Sequence, residues 1–399
     1  MARKARSRTG PGPVTDVGDV AATAPDLDPS WLGRVRARLV DWYAGAHRPL
    51  PWRADRDPYR ILVSETMLVQ TTVAAVVPYY ERFLARFPTV GALAVADEAD
   101  VLKAWEGLGY YRRARQLHEA AKAVVRDHGG SIPADPDALR ALPGVGRYIA
   151  GAILSFAFGR AAPIVEANTR RVLARWLDWG EDLGTSRSQA RLWEAAARVV
   201  PADDPGTFNQ AFMELGALVC VPRAPLCLAC PVAADCLARQ AGRQDIVPAI
   251  AARPAPVEVT EACAVAVDRD RVLVVRRGPG SLWEGFWEFP TIHLTGPDPA
   301  RRGFGAPVAL AEGVRRLAGV STSVGPVAST LKFGVTRHRV TLEIHPARPL
   351  GPPATPRPGP GMVEAAWKTP DELEGLARSA ATRRVVARLA KAGDSGLSS

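Results

Sequence analysis

Four cysteines, Cys220, Cys227, Cys230 and Cys236, crowd into seventeen residues as C-x6-C-x2-C-x5-C. Soft thiolates drawn from one short loop can enclose a metal centre, so this segment must fold around whatever it holds. The fifth cysteine, Cys263, stands apart in an apolar stretch and reads as core. An odd total clustered in this way argues for a reducing compartment rather than a disulfide scaffold. Zinc sites usually combine two C-x2-C knuckles or include histidine. Here there is one x2 pair and no histidine inside the segment. The uneven spacing fits a [4Fe–4S] cluster better, with zinc as the alternative.

Ahead of the cysteines the pattern is helical. Residues 1–30 read as a disordered basic tail, with no apolar segment of the secretory kind. Residues 31–240 carry apolar side chains at three- and four-residue spacings, over Leu102–Trp105, Tyr111–Val125, Gly151–Phe158, Asn168–Trp179 and Thr207–Val219. Asp57-Pro58 is a helix start, with Asp as N-cap and Pro at the first helical position. Three prolines make residues 241–258 a semi-rigid linker. Beyond it, β-branched runs at 263–267, 271–275, 330–333 and 339–344 predict strands. Periodic runs at 309–317 and 383–389 predict helices, and seven prolines make 346–361 a loop. The expected fold is a multidomain chain: an all-α region followed by an α+β domain over 259–395.

Charge narrows the partner. Lys and Arg number 51 against 41 Asp and Glu, a net +10, which favours a polyanion. No apolar run is long enough to span a bilayer; nucleic acid or an anionic membrane surface would fit the charge, and nucleic acid without a membrane is the expectation taken forward. Within 142–154, Leu142-Pro-Gly-Val-Gly-Arg-Tyr148 places Gly144 and Gly146 before a helix. Such a turn exposes backbone N–H groups at a helix N-terminus and can grip a phosphate without reading sequence. A plain helix–helix turn is the alternative reading.

These segments together resemble a known family. LPGVGRYIAGAIL at 142–154 is similar to the helix–hairpin–helix of base-excision DNA glycosylases related to endonuclease III, and the cysteine spacing matches that superfamily's iron–sulfur loop. Leu50-Pro-Trp-Arg53, Ser64-Glu-Thr-Met-Leu-Val-Gln-Thr71, Gly107-Leu-Gly-Tyr-Tyr111 and Phe208-Asn-Gln-Ala-Phe-Met-Glu-Leu-Gly216 resemble its adenine DNA glycosylase branch. Leu282-Trp-Glu-Gly-Phe-Trp-Glu-Phe-Pro290 is similar to the Nudix-like domain of that branch. The resemblance implies excision of adenine mispaired with 8-oxoguanine or guanine in double-stranded DNA, by a monomer in a bacterial cytoplasm beside the nucleoid.

The resemblance also assigns roles. Glu65 matches the acid that protonates the departing base, and its neighbours Val63, Met67 and Leu68 predict a buried carboxyl with a raised pKa. Where the family carries Val-Asp-Gly-Asn this chain has Val165-Glu-Ala-Asn168, making Glu166 the carboxylate that stabilises the cationic sugar, with Asn168 beside it. Ala167 in place of glycine excludes an easy left-handed backbone there. Tyr148 stands where lyase relatives hold a Schiff-base lysine, implying a monofunctional enzyme. Tyr110 and Gln70 match wedging residues, Leu68 one near the extruded base, and Val69 stands in place of a second glutamine. Arg48, Trp52 and Arg53 match the adenine pocket, and Gln210 a contact to the base. Core packing is the alternative for Trp52 and Tyr110. In the C-terminal domain Glu312 alone remains of the Nudix glutamates, which argues against pyrophosphate hydrolysis. Thr336-Arg337-His338 replaces the lesion-sensing Phe-Ser-His, so Arg337 and His338 are the candidate readers, a surface turn being the alternative. Rival readings are a thymine or uracil mismatch glycosylase of the same superfamily and a catalytically decayed lesion-binding protein.

Overall fold

A computed structural model describes residues 27–249, 255–294, 305–352 and 354–393. Most of the basic tail and part of the linker read from the sequence lie outside these residues. Helices α1 (Pro29–Ala46), α2 (Pro58–Leu68), α3 (Val73–Arg86), α4 (Val90–Ala94) and α5 (Glu98–Ala104) come first. Then follow α6 (Arg112–His128), α7 (Pro136–Ala141), α8 (Arg147–Phe156), α9 (Ala167–Trp176), α10 (Ser186–Val199), α11 (Pro205–Leu218) and α12 (Leu237–Gln240). Many starts are dictated locally. Asp28, Asp57, Asp135 and Asp204 each accept backbone N–H bonds at an N-cap followed by proline. Pro29 and Ser30 therefore open α1 instead of closing the tail.

The chain divides into two compact units, Met1–Arg48 with Leu154–Ala251, and Pro49–Ile153 with Ala252–Ser399. The core of the first joins Val35, Leu39 and Tyr43 of α1 to Val172, Trp176, Phe208, Phe212 and Leu215. Trp176 and Phe212 stack with ring centroids 4.9 Å apart.

The second unit contains the α+β region. Its strands are β1 (Val257–Asp268), β2 (Arg271–Arg277), β3 (Trp287–Glu288), β4 (Thr291–His293), β5 (Thr322–Val324), β6 (Ser329–Val335), β7 (His338–Pro349) and β8 (Met362–Lys368). Its helices are α13 (Ala306–Ala318), α14 (Pro370–Gly375) and α15 (Ala380–Gly393). β1 is the spine, parallel to β7 from Val257↔His338 to Ala266↔Ala347, and antiparallel to β4 and β2. Its side chains alternate faces as a pleat requires. Ala262, Ala264 and Ala266 pack with Leu310 and Val314 of α13. Cys263 and Val265 pack with Leu342, Ile344 and Val385 on the opposite face.

One expectation fails here. Residues 346–349, read as the start of a proline loop, continue β7, with Val265↔Pro346 and Thr322↔Pro349 in register. Proline lacks only the N–H, and the Pro346 carbonyl still accepts from the Gly325 N–H at 2.8 Å.

Candidate active site

Glu65 sits on α2, whose side chains from Ile61 to Met67 are all buried. Its own side chain is 3% exposed. A carboxyl in such surroundings needs a hydrogen-bonding partner. Tyr148, one residue into α8, supplies one by donating its hydroxyl to Glu65 Oε2. Two residues singled out in the sequence are thus brought together, Tyr148 onto the candidate acid.

The turn from α7 to α8 folds as its glycines require. Leu142 and Val145 point inward while Gly144, Gly146 and Arg147 are exposed. The Val145 N–H closes the turn on the Leu142 carbonyl at 3.1 Å. Gly144 has φ +78°, and a Cβ there would stand 2.7 Å from Cβ of Gln116, so two independent constraints hold the position to glycine.

Two exposed loops flank the end of α2. Gln70 (φ +60°) and Tyr110 (φ +50°) are both left-handed non-glycine residues, and Tyr110 is 49% exposed. Such backbone is stored at functional sites where the surroundings enforce it. Here the enforcing residue is Arg113, which the sequence reading overlooked. It is buried, and its Nη1 donates to the carbonyls of Thr66 (2.9 Å), Met67 (2.8 Å) and Val69. A signal existed: Arg113 falls on the stripe of Leu117, Ala120 and Val124, a cation where the α6 periodicity calls for an apolar side chain.

Glu106, just before Gly107, is a second overlooked residue. Its carboxylate meets Lys103 Nζ at 2.9 Å and Arg383 Nε at 3.4 Å, with Arg378 Nε at 3.9 Å. The loop carrying Tyr110 is thereby tied at its base to α15. Trp52 is buried with its ring edge-on to Tyr80, centroids 5.4 Å apart, and Arg53 beside it is half-buried. Leu68 is half-buried at the end of α2, and Val69 is exposed.

In the first unit, Glu166 is the N-cap of α9. Its Oε1 accepts from the Thr169 N–H at 2.8 Å, while Thr169 Oγ1 accepts from the Glu166 N–H at 3.0 Å, a reciprocal capping box. Burial pushes its pKa up, opposed by the hydrogen bonds from Asn168 and Thr169 and by Arg171. Ala167 is the first helical residue, where no left-handed backbone is required. Asn168 Oδ1 accepts from Arg171 Nη2 at 2.9 Å. A Cβ on Gly216 would stand 2.6 Å from Cβ of Asn168, which explains that glycine in the Phe208–Gly216 segment.

Arg48, expected to line a base pocket, is held by Glu214, an acid missed in the sequence. Glu214 Oε1 accepts from Arg48 N (3.0 Å) and Nε (2.8 Å), and Oε2 from Nη2 (2.8 Å). The bidentate geometry and a 1% exposed carboxylate make this a strong positional anchor. Gln210 Oε1 accepts from Tyr43 Oη at 2.9 Å, which fixes the amide orientation.

The cysteine loop closes on α9. Buried Arg175 donates from Nη1 to Cys220 Sγ (3.3 Å) and to the Val221 carbonyl (2.8 Å), and Arg171 Nε donates to the Cys220 carbonyl at 2.7 Å. Burial pushes the Cys227, Cys230 and Cys236 thiols up, Cys230 to about 12, and each thiol is raised further by its cysteine neighbours. Among the described residues no three His, Cys, Asp or Glu side chains form a set that could hold one metal ion. No described helix is long and apolar enough to cross a membrane.

In the α+β region, Thr336 (φ +53°) and Arg337 form the exposed tip between β6 and β7, and His338 follows half-buried. His338 borders a cavity of about 390 Å³ with Trp283, Phe333, Glu261, Arg277 and Glu288 at its walls. Glu288 pairs with Arg277 Nε at 2.6 Å, yet burial still pushes its pKa up to about 7. Glu312 on α13 is exposed and paired with Arg315 at 2.6 Å.

Two stretches of the chain match known families. A family model described as "HhH-GPD superfamily base excision DNA repair protein" matches residues 63–198, and one described as "NUDIX domain" matches 262–388. The chain is 34% identical to the Adenine DNA glycosylase of Homo sapiens over 411 residues, 88% of this chain and 73% of that protein. It is 43% identical over 195 residues to the Adenine DNA glycosylase of Mycobacterium tuberculosis, 49% of this chain and 64% of that one. A solved thermostable thymine-DNA glycosylase is 31% identical with a TM-score of 0.48, covering 53% of this chain and 98% of that structure.

Proposed function

The chain belongs to the adenine DNA glycosylase family, and we propose that it is a monofunctional enzyme excising adenine opposite 8-oxoguanine or guanine. The observation that carries the chemical reading is the buried Glu65 carboxyl with the Tyr148 hydroxyl upon it. Adenine is a poor leaving group, so the bond from C1′ to the base breaks readily only if the ring is protonated as it departs. Glu65 gives that proton, and the electron pair of the bond leaves with the base. Tyr148 fixes which carboxyl oxygen faces the substrate. Glu65 then takes a proton from the water that adds to C1′, leaving an abasic site. Glu166 supplies negative charge to the oxocarbenium-like sugar. Tyr148 offers no amine for a Schiff base, so strand cleavage does not follow from this residue set.

Extruding the base costs a few kcal/mol of unstacking. Tyr110 and Gln70, presented on exposed left-handed backbone, fill the space it leaves. Gly144 and Gly146 give the phosphate a close backbone approach. The resemblance assigns Arg48, Arg53, Leu68 and Gln210 to the extruded adenine, while Trp52 packs on Tyr80 in the core. Arg337 and His338, at and beside the turn between β6 and β7, read the opposite base. Cys220, Cys227, Cys230 and Cys236 hold a [4Fe–4S] cluster. Supporting this, the Cys227, Cys230 and Cys236 thiols are each raised by neighbouring cysteines, Cys220 among them, so the four lie close together. The cluster, when bound, supplies a rigid anchor for the loop. The protein acts as a monomer in the cytoplasm, with residues 31–240 as the glycosylase region, 241–258 as linker and 259–395 as lesion reader.

Single-turnover excision from 8-oxoguanine·A, G·A, G·T and G·U duplexes tests this, with Glu65→Gln as control. Adenine loss that is fastest opposite 8-oxoguanine and abolished in the control is expected. Thymine or uracil loss would transfer the protein to the mismatch branch, and intact binding with no excision would leave a lesion-binding protein.

A further inference from the structure

We propose that Arg113 is a positioning residue that couples insertion of the wedge to the helix carrying the acid. The inference rests on the roles given above to Glu65, Gln70 and Tyr110.

The guanidinium touches three things at once. Nη1 donates to the carbonyls of Thr66 and Met67 at 2.9 and 2.8 Å, and to that of Val69. These are among the last carbonyls of α2, which have no helical N–H to accept from and lie at the negative end of the helix dipole. Nη2 donates to Thr71 Oγ1 at 3.1 Å and to the Gly109 carbonyl at 3.2 Å. The cation also lies 5.4 Å from the ring centroid of Tyr110 and 5.6 Å from that of Trp105.

Sequence adjacency gives these contacts their meaning. Thr66 follows Glu65, Val69 and Thr71 bracket Gln70, and Gly109 precedes Tyr110. One planar group therefore holds backbone one residue from the acid and from each left-handed wedge residue. Its partners are carbonyls, a hydroxyl and aromatic faces, so the cation is spent on geometry. Burial pulls its pKa down to about 10, still charged at neutral pH. Only a forked, planar donor reaches both sets of carbonyls together, and lysine offers a point charge instead. When Tyr110 moves into a duplex, the Gly109 and ring contacts transmit that movement through Arg113 to the end of α2.

The test uses the full chain with 2-aminopurine in place of the target adenine opposite 8-oxoguanine, in a Glu65→Gln background that binds but does not excise. Fluorescence rises when the base unstacks. Arg113→Lys is expected to slow that rise about tenfold, the loss of one or two charge-assisted hydrogen bonds. Binding should change less. Combined with Tyr110→Ala it should add almost nothing, because both act on one step. Thr71→Val, which removes a single Nη2 partner on a half-buried residue, should slow the rise severalfold and keeps the idea testable if Arg113→Lys folds poorly. An unchanged flipping rate in both variants, or effects of Arg113→Lys and Tyr110→Ala that multiply, would overturn the proposal. No rise in the Glu65→Gln protein alone, despite tight binding, would instead sink the glycosylase reading beneath it.

Discussion

Glu166 is both a helix cap and a candidate catalytic carboxylate, and substitution separates the two. Alanine removes the bond that Oε1 accepts from the Thr169 N–H at 2.8 Å, a loss of about 1 kcal/mol. Glutamine leaves an amide oxygen in that place. It forgoes a dipole contribution of about 0.5 kcal/mol but also the burial penalty that pushes the Glu166 pKa up, so stability should hardly change. Chemistry should respond differently. A full negative charge about 4 Å from a developing cation, at an effective dielectric near 20, is worth about 4 kcal/mol, or roughly a thousandfold in rate. Glu166→Gln should therefore lose about a thousandfold in single-turnover excision with an unchanged melting temperature. Glu166→Ala should lose the same rate and melt about 2–4 °C lower. Glu166→Asp keeps charge and cap but withdraws the carboxylate by one methylene, so its rate should fall between, up to about a hundredfold down. Normal excision by Glu166→Gln would show that the carboxylate is only a cap and refute its catalytic role.

Other consequences are as direct. Glu288 rises from an ordinary 4.5 to about 7, so its contribution to stability is full below about pH 4.5 and is lost as pH rises through 7. That difference is about 3 kcal/mol, and Glu288→Gln should flatten the decline in the melting temperature of the α+β region between pH 5 and 8. Glu214→Gln leaves the Arg48 guanidinium against a neutral partner and should destabilise by about 2 kcal/mol in chemical denaturation, discounted because Arg48 is one-third exposed. Gly216→Ala, whose Cβ would stand 2.6 Å from that of Asn168, should displace the start of α9, measurable as a lower excision rate together with a lower melting temperature. Cys230→Ala should abolish the visible absorption of the reconstituted cluster and loosen 220–236, seen as faster amide exchange; unchanged absorption would argue against the cysteine assignment.

What was legible in the sequence was local. Asp57-Pro58 and the two hairpin glycines are read within a few residues, because caps and left-handed turns are fixed by neighbours. The α+β strands with long β-branched runs were equally visible, whereas β4 and β8 were not, β4 having three residues and β8 no alternation. The roles of Arg48, Trp52 and Gln210 were less legible, since each depends on a partner distant in sequence. Arg48 and Glu214 are 166 residues apart, and Tyr43 and Gln210 are 167 apart. No periodicity encodes such pairs. Arg113 was overlooked although its signal was local, a cation on an otherwise apolar stripe of α6.

The insertion of residues 49–153 between the two parts of the first unit also sets a timetable for synthesis. Trp31 donates its indole N–H to the Asp235 carbonyl, 204 residues downstream. At about 5–20 residues per second, α1 leaves the ribosome some 10–40 s before the segment that covers it. Throughout that interval Val35, Leu39 and Tyr43 present a bare apolar stripe. Cys220 and Cys236 are among the last pieces of that core to be made, so the first described helix waits for its shelter until the cysteine loop has left the ribosome.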